Sequence, residues 1–291
     1  MTTYLKQLLL PSGAAEAGFL AERHLNLGLP SYPFTLFPAK GLEVLDFAPT
    51  TILYGGNGSG KSTLLNILAE KAGVARHSPF NSGDFFPTYV EMCSLAGSAP
   101  AGSRILTSDD VFEYLLHSRS LNDGMLARKN ALFAEYLDRR NGDLPFTGLA
   151  DYDKWKEGFD AKRKSASQFI RERLSTTPVL RSNGESAIGF FAEHIRERAV
   201  YILDEPENSL SVSLQKELAA YLYDSARWAD CQLIIATHSP ILLALEGARI
   251  YDLDSCPVQI RPWTQLENVR SWYDFFRQHA DELERQDTSA R

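Results

Sequence analysis

The sequence predicts an α/β fold in which helices cover a mostly parallel central sheet, with an N-terminal antiparallel β element and an inserted helical subdomain. Three observations predict it: a glycine-rich loop between a β-like run and a helical run, continuous apolar strands later in the chain, and a long helical stretch between the two. We therefore expect residues 1–108 and 182–260 to form one core. Residues 109–181 would be the inserted subdomain, and 261–291 a C-terminal helix and tail.

The first third of the chain contains short runs with the alternation or β-branched character of strands. A further run, from Ser62 to Ala72, has apolar residues at helical spacing and follows the glycine-rich loop directly. Strand, loop and helix are thus expected in that order. The predicted strands are Tyr32–Phe37, Leu42–Phe47, Thr50–Tyr54, Tyr89–Met92 and Arg104–Leu106.

The remainder of the chain begins with a mainly helical pattern over residues 109–174. After it, helical and continuous apolar segments alternate, which is typical of a buried parallel sheet. The predicted helices are Ala187–Arg198, Ser211–Trp228 and a C-terminal one carrying Trp272, Tyr273, Phe275 and Phe276; the predicted strands are Val200–Leu203, Leu233–Ala236 and an edge element from Ile250 to Leu253.

Composition restricts the class of protein. The 291 residues are 44% apolar and 23% charged, as in ordinary globular proteins. The net charge of −7 does not favour a strongly basic nucleic-acid binder. The three widely spaced cysteines, Cys93, Cys231 and Cys256, argue against a disulfide framework or zinc site. We find no apolar run long enough to span a membrane and no signal peptide, so we expect a cytoplasmic protein.

The glycine-rich loop matches the phosphate-binding pattern GxxxxGK[ST] at every fixed position. Glycines let the backbone curl around a phosphate group and point its N–H groups inward. Lysine supplies a positive charge, the serine hydroxyl can bind Mg²⁺, and the following helix directs its positive end at the same phosphates. The predicted nucleotide-binding residues are Gly55, Asn57, Gly58, Ser59, Gly60, Lys61, Ser62 and Thr63, with Ser62 also a metal ligand.

Polar residues follow the two later apolar strands. Asp204 ends the first of them and is placed to hold Mg²⁺ through water, while Glu205 beside it can act as general base toward a water molecule. His238 follows the second strand and can reach the γ-phosphate of a nucleotide. Glu205, His238 and Lys61 are therefore the predicted catalytic residues, and Asp204 and Ser62 the predicted metal ligands.

These motifs together resemble the ABC-type ATPases, a superfamily of P-loop NTPases that includes transporter motors and the SMC, Rad50 and RecF-like proteins. The segments GGNGSGKST, SNGES, YILDEPENSL and IIATHSP occur in the order of that superfamily. From about residue 30 to about residue 280 the chain is most similar to small stand-alone bacterial ATP-binding proteins of the AAA and ABC type. The resemblance implies an ABC-ATPase-like fold that binds ATP and Mg²⁺.

The resemblance also implies a homodimer that forms on ATP binding. Ser182–Ser186 stands where the superfamily has its signature, so Ser182 and Gly184 are expected to contact the γ-phosphate held by a second copy. Asn208–Leu210 stands where the superfamily has a loop that crosses the dimer interface. A single chain would then contain half of each of two sites.

The chain departs from the superfamily in three respects. Transporter motors have a glutamine after a strand in the region of Arg104–Asp109, and its role here would pass to Ser108 or Asp109 or be lost. The aromatic residue that would contact adenine is not evident, since we interpret Phe47, the one weak candidate, as a core residue. The insert lacks the sustained heptads of a long coiled coil, which excludes a long-armed DNA tether.

The sequence supports one function more than two alternatives. A nucleotide-driven dimerisation switch in DNA repair or phage defence, acting with an effector such as a nuclease, fits the RecF-like motifs. The chain itself contains no nuclease motif, and DNA stays open as a ligand. The alternatives are the ATP-binding motor of a membrane transporter, which the missing glutamine disfavours, and a non-catalytic nucleotide-gated module, which Glu205 disfavours.

Overall fold

A computed structural model describes residues 2–22, 32–80, 82–116, 131, 183–208 and 210–287 of the chain. Its residues fall into two compact units, Met1–Phe112 with Ala187–Arg291, and Glu113–Ser186. Most of the predicted helical subdomain lies outside the described residues, although residues 108–116 are helical as the sequence pattern indicates. Among the described helices, none has both the length and the apolar character required to cross a bilayer.

The first unit is built on a six-stranded sheet. Its strands are β3 (Thr50–Tyr54), β5 (Arg104–Thr107), β6 (Val200–Asp204), β7 (Gln232–Ala236), β8 (Arg249–Asp252) and β9 (Gln259–Ile260), in the spatial order β5-β6-β7-β3-β8-β9. All neighbouring pairs are parallel except β8 and β9. The mostly parallel sheet predicted from the apolar runs is therefore present, and its inner strands β3, β6 and β7 are buried as such sheets require.

A second sheet has three antiparallel strands, β1 (Leu5–Leu9), β2 (Val44–Asp46) and β4 (Ser94–Gly97), in the order β2-β1-β4. It confirms the predicted N-terminal antiparallel β element, to which β4 is added from beyond the phosphate loop. The two sheets share one core, because Leu5, Leu8 and Leu45 belong to the same buried cluster as Ile202 and Ile234.

Helices complete the described part of the molecule. The helix after the phosphate loop, α2, is amphipathic and buries Leu64, Leu65, Ile67 and Leu68 in the core. Two glycines bound it, Gly60 at its start and Gly73 at its end, both in the left-handed conformation that glycine adopts readily. Besides the helical residues 108–116, the described α-helices are α1 (Gly13–Glu22), α2 (Lys61–Ala72), α3 (Phe86–Met92), α4 (Asn183–His194), α5 (Val212–Trp228), α6 (Pro240–Leu243), α7 (Glu267–Gln278) and α8 (Ala280–Asp287).

Three local predictions were wrong. Residues 32–37 form turns rather than a strand, because Thr35 has a positive φ of 69° and its N–H donates to the buried Glu16 carboxylate. Tyr89–Met92 belongs to helix α3, which has a proline in its first turn. The strand from Arg249 to Asp252 is not an edge strand, since β9 pairs with its outer side.

Candidate nucleotide-binding and catalytic site

The phosphate loop joins β3 to α2 at the carboxyl edge of the parallel sheet, where ligands of such sheets usually bind. Glycine is required at its first position, because a Cβ on Gly55 would lie 2.6 Å from Ser59 Oγ. Gly58 and Gly60 have positive φ values of 79° and 99°. The Oγ atom of Ser59 is buried and has no hydrogen-bond partner among the described residues, so a polar donor inside the loop is free for a ligand.

Lys61 lies in the concave side of this loop. Its side chain is almost completely buried, and Nζ donates hydrogen bonds to the carbonyl oxygens of Gly55 at 2.8 Å and Gly56 at 3.1 Å. Nζ is also 3.6 Å from Glu205 Oε1. The loop lysine and the predicted general base thus belong to one site.

Ser62 and Asp204, the two predicted metal ligands, are in direct contact. Ser62 Oγ donates to Asp204 Oδ1 at 3.1 Å. Burial raises the pKa of Asp204 to about 6, the Ser62 hydrogen bond opposes this rise, and the Glu205 charge adds to it. A hydroxyl and a carboxylate oxygen at this separation form a ligand pair that Mg²⁺ favours.

Glu205 comes directly after β6 in a left-handed conformation with φ 49°, which is rare for a residue other than glycine. Its N–H donates to the Ala236 carbonyl at 2.9 Å, which fixes the backbone at the end of the neighbouring strand. Its carboxylate has three neighbours: Lys61, His238 Nδ1 at 3.6 Å from Oε1, and Asn208 Nδ2, which donates to Oε2 at 3.0 Å. The carboxylate is therefore held from three directions.

His238 lies at the end of β7, next to the acidic strand end. Its imidazole is 42% exposed and has Glu205 as its ionic neighbour. Its backbone is held on both sides, since its N–H donates to Glu207 Oε1 and its carbonyl accepts from Asn268 Nδ2 at 2.8 Å. The exposed ring can therefore face a ligand while its backbone stays fixed.

The signature segment is only partly described. Ser182 lies outside the described residues, and Gly184 lies in the first turn of α4. The contact predicted for both residues with a nucleotide on a second chain stays a prediction.

Residues around the end of β5 occupy the region of the missing glutamine. Thr107 pairs in register with Asp204, and residues 108–116 then form a helix. Thr107 and Asp110 cap this helix reciprocally: the Asp110 N–H donates to Thr107 Oγ1, and the Thr107 N–H donates to Asp110 Oδ2. The strand end facing Asp204 is therefore Thr107, which was not predicted as a site residue, although the pattern TSDD marks a helix cap.

Two further residues at the phosphate loop were missed. Tyr32 Oη donates to Thr63 Oγ1 at 2.8 Å, and its ring is 41% exposed beside the start of α2. Asp254 Oδ2 accepts from the Gly56 N–H at 2.8 Å. Neither contact could be read from the chain, because both residues are distant from the loop in sequence. Phe47 is buried in the core, as predicted from the sequence.

Fold and site together define a P-loop nucleotide-binding domain. Residues 167–244 match the family model described as "AAA domain, putative AbiEii toxin, Type IV TA system". The chain is 25% identical to a thiamine import ATP-binding protein, ThiQ, of Mesorhizobium japonicum. The alignment covers 210 residues, which is 72% of this chain and 72% of the relative. It is 27% identical to a cytochrome c biogenesis ATP-binding export protein, CcmA, of the same organism, over 77% of this chain and 94% of the relative.

Among solved structures, the chain matches an SMC head domain from Thermotoga maritima at 14% identity and a TM-score of 0.36, covering 89% of this chain and 99% of that one. The family model and the curated relatives, with the order of the motifs, support the assignment of this chain to the ABC-type ATPase superfamily. The described domain is accordingly similar to the ATP-binding domains of that superfamily.

Proposed function

We propose that this protein hydrolyses ATP, and that ATP joins two copies of the chain head to tail in a switch that hydrolysis reverses. The observation that supports it best is the convergence of Lys61, Ser62, Asp204 and Glu205 at one edge of the sheet. Phosphoryl transfer depends mainly on positioning and charge neutralisation, which is what these groups offer.

The residues present fit a magnesium nucleotide. The loop offers backbone N–H groups, the free Ser59 hydroxyl and the Lys61 ammonium to phosphate oxygens. Ser62 and Asp204 would hold Mg²⁺, which when bound neutralises the charge of the β- and γ-phosphates. Tyr32, exposed beside Thr63, would pack against the adenine ring.

Glu205 would accept the proton of the attacking water. Lys61 and Asn208 keep its carboxylate oriented, and His238 approaches the same oxygen as Lys61. The left-handed backbone of Glu205 projects the side chain from the strand end at the cost of local strain. The role of His238 would be to contact the γ-phosphate next to this carboxylate.

The second half of the site would come from the partner chain. Gly184, in the first turn of α4, and Ser182, which precedes that helix in the sequence, would approach the γ-phosphate with the positive end of the helix. The segment after Glu205 would lie at the interface. A monomer should then turn over ATP very slowly.

Purified protein and its Glu205→Gln variant test this proposal. We expect the wild type to hydrolyse MgATP, and we expect the rate per molecule of protein to rise with protein concentration. Glu205→Gln should lose hydrolysis and elute as a dimer with ATP but as a monomer with ADP in size-exclusion chromatography. A variant that stays monomeric at saturating ATP, while still binding it, would exclude the dimer switch.

We further propose a cytoplasmic role in DNA repair or phage defence, with an effector such as a nuclease. The RecF-like motifs support it, as does the match to a family model described with a toxin of a type IV toxin–antitoxin system. ATP turnover should rise when duplex or single-stranded DNA is added. Turnover that is insensitive to DNA and to every gene product encoded nearby would count against this role.

A second candidate function is the ATP-binding subunit of a membrane transporter. It is favoured by the two curated relatives, which are named as ATP-binding proteins of an importer and an exporter. Co-purification of the tagged protein with an integral membrane protein from detergent extracts would support this candidate over the first.

A further inference from the structure

Glu207 is a buried carboxylate two residues beyond the proposed base. It is 5% exposed, and its Oε1 accepts three hydrogen bonds. The donors are the Thr237 hydroxyl and the backbone N–H groups of His238 and Ser239, the last two at 3.2 Å. All three belong to the loop that carries His238 from β7 to α6.

Burying a carboxylate costs free energy unless hydrogen bonds compensate for the lost solvation. A buried carboxylate requires hydrogen-bond donors, and here one oxygen takes all of them. The other oxygen, Oε2, is buried without a partner among the described residues. All the hydrogen bonds that this carboxylate accepts from the described residues therefore come from one loop, and they hold the backbone of that loop in place.

A second tie joins the same two segments. Ser239 Oγ donates to Gln215 Oε1 at 2.7 Å, and Gln215 Nε2 donates to the Leu210 carbonyl at 3.0 Å. Gln215 lies on α5, so this helix connects the loop to the segment that follows Glu205. The acidic strand end and the His238 loop are thus linked at two points.

The His238 ring itself is weakly held. It is nearly half exposed, and its charged neighbour is Glu205 at 3.6 Å. Its direction is consequently set by the backbone, whose N–H is fixed by Glu207 and whose carbonyl is fixed by Asn268. Removing the Glu207 carboxylate would free one of these two anchors.

We propose that Glu207 is a positioning residue that fixes the His238 ring relative to Glu205 and to the transferred phosphate. This assignment rests on the proposed ATPase function. In this proposal Glu207 does not contact the nucleotide. It acts through His238, so its loss should affect the transition state more than the binding of ATP.

The experiment compares steady-state MgATP turnover of the wild type, Glu207→Ala, Glu207→Gln, His238→Ala and the Glu207→Ala/His238→Ala double variant. For Glu207→Ala we expect kcat to fall about tenfold to a hundredfold with KM within about threefold, because a small misplacement of a reacting group has that effect. Glu207→Gln should recover most of the rate, since its amide oxygen can accept the same three hydrogen bonds.

The double variant distinguishes a positioning role of Glu207 from a general loss of folding or stability. If Glu207 acts through His238, the double variant should be no slower than His238→Ala alone. The matched control is Gln232→Ala at the opposite end of β7, a fully buried side chain with four hydrogen bonds to Tyr4, Leu5 and Ala48. It should lower the melting temperature and leave kcat unchanged.

Several outcomes would overturn the assignment. Unchanged kcat in Glu207→Ala would do so, as would effects of Glu207→Ala and His238→Ala that multiply in the double variant. If Glu207→Ala does not fold, Glu207→Asp replaces it, because the shorter side chain keeps the charge and loses the reach; an unchanged kcat there has the same meaning. A wild type without ATP turnover would instead overturn the proposed function, and this assignment with it.

Discussion

The substitution Asp204→Asn should remove the pH dependence that this buried carboxyl imposes on the stability of the protein. The asparagine side chain has the same shape and its amide oxygen can still accept the Ser62 hydrogen bond. It cannot ionise. The comparison with the wild type therefore isolates the free energy of burying the Asp204 charge.

The magnitude follows from the pKa of Asp204, which burial raises from its ordinary 3.8 to about 6. A raised folded-state pKa means that the folded protein binds the proton more tightly than the unfolded chain does. The stabilisation from this proton is complete below the unfolded pKa and is lost as the pH rises through the folded one. Between pH 5 and pH 7.5 the wild type should lose about 1 kcal/mol through this group.

The assay is urea denaturation at several pH values between 5 and 7.5, in buffer with EDTA and without nucleotide. The free energy of unfolding of Asp204→Asn minus that of the wild type should grow by about 1 kcal/mol over this range. Asp274→Asn, which removes an exposed carboxylate on α7, serves as the control and should run parallel to the wild type. A difference for Asp204→Asn that is constant, or that shrinks as the pH rises, would refute the reasoning.

Three further predictions concern the phosphate loop, the adenine contact and the antiparallel sheet. Lys61→Ala should weaken ATP binding about tenfold or more, as measured by titration with a fluorescent ATP analogue, because it removes the charge inside the loop; unchanged affinity would contradict its placement. Tyr32→Ala should weaken binding of ATP about tenfold but not that of inorganic triphosphate, whereas Tyr32→Phe should bind both normally; equal losses for the two ligands would contradict an adenine contact. Gly97→Ala should lower the free energy of unfolding by about 2 kcal/mol or more, since its Cβ would lie 2.1 Å from the Tyr4 carbonyl oxygen at a φ of 102°. Gly102→Ala, which shares a positive φ but has open space, should cost about 1 kcal/mol in the same urea titration.

The sequence predicted the parts of the site that short segments specify. The phosphate loop and the acidic strand end are each encoded within about ten residues, and their strands are apolar enough to be recognised as buried. The parallel sheet, in which β7 lies between β3 and β6, then brings Ser62 and Asp204 to the same edge, where their side chains meet.

The remaining contacts depend on residues that are far apart in sequence. Residues 32–37 alternate like a strand, but the buried carboxylate of Glu16 captures the Thr35 N–H and a turn results. This turn also brings the Tyr32 hydroxyl within hydrogen-bond distance of the Thr63 side chain. No local pattern reveals that a glutamate from a preceding helix does this.

Glu207 shows the same limit on prediction. In the sequence it is one of several acids after a strand, where an exposed or metal-binding role is the ordinary expectation. Its three donors lie about thirty residues further along the chain and become neighbours because β6 and β7 are adjacent. The function of the carboxylate is thus determined by the strand order.

The left-handed backbone at residue 205 has a consequence for how this chain can change over time. Glycine would adopt φ 49° without strain, so Glu205→Gly should relieve about 1 kcal/mol of backbone strain while removing the proposed general base. If the proposed function holds, selection for stability and selection for catalysis therefore favour different residues at this position. A copy released from its catalytic task would be free to drift toward a small residue at this position and keep the surrounding fold.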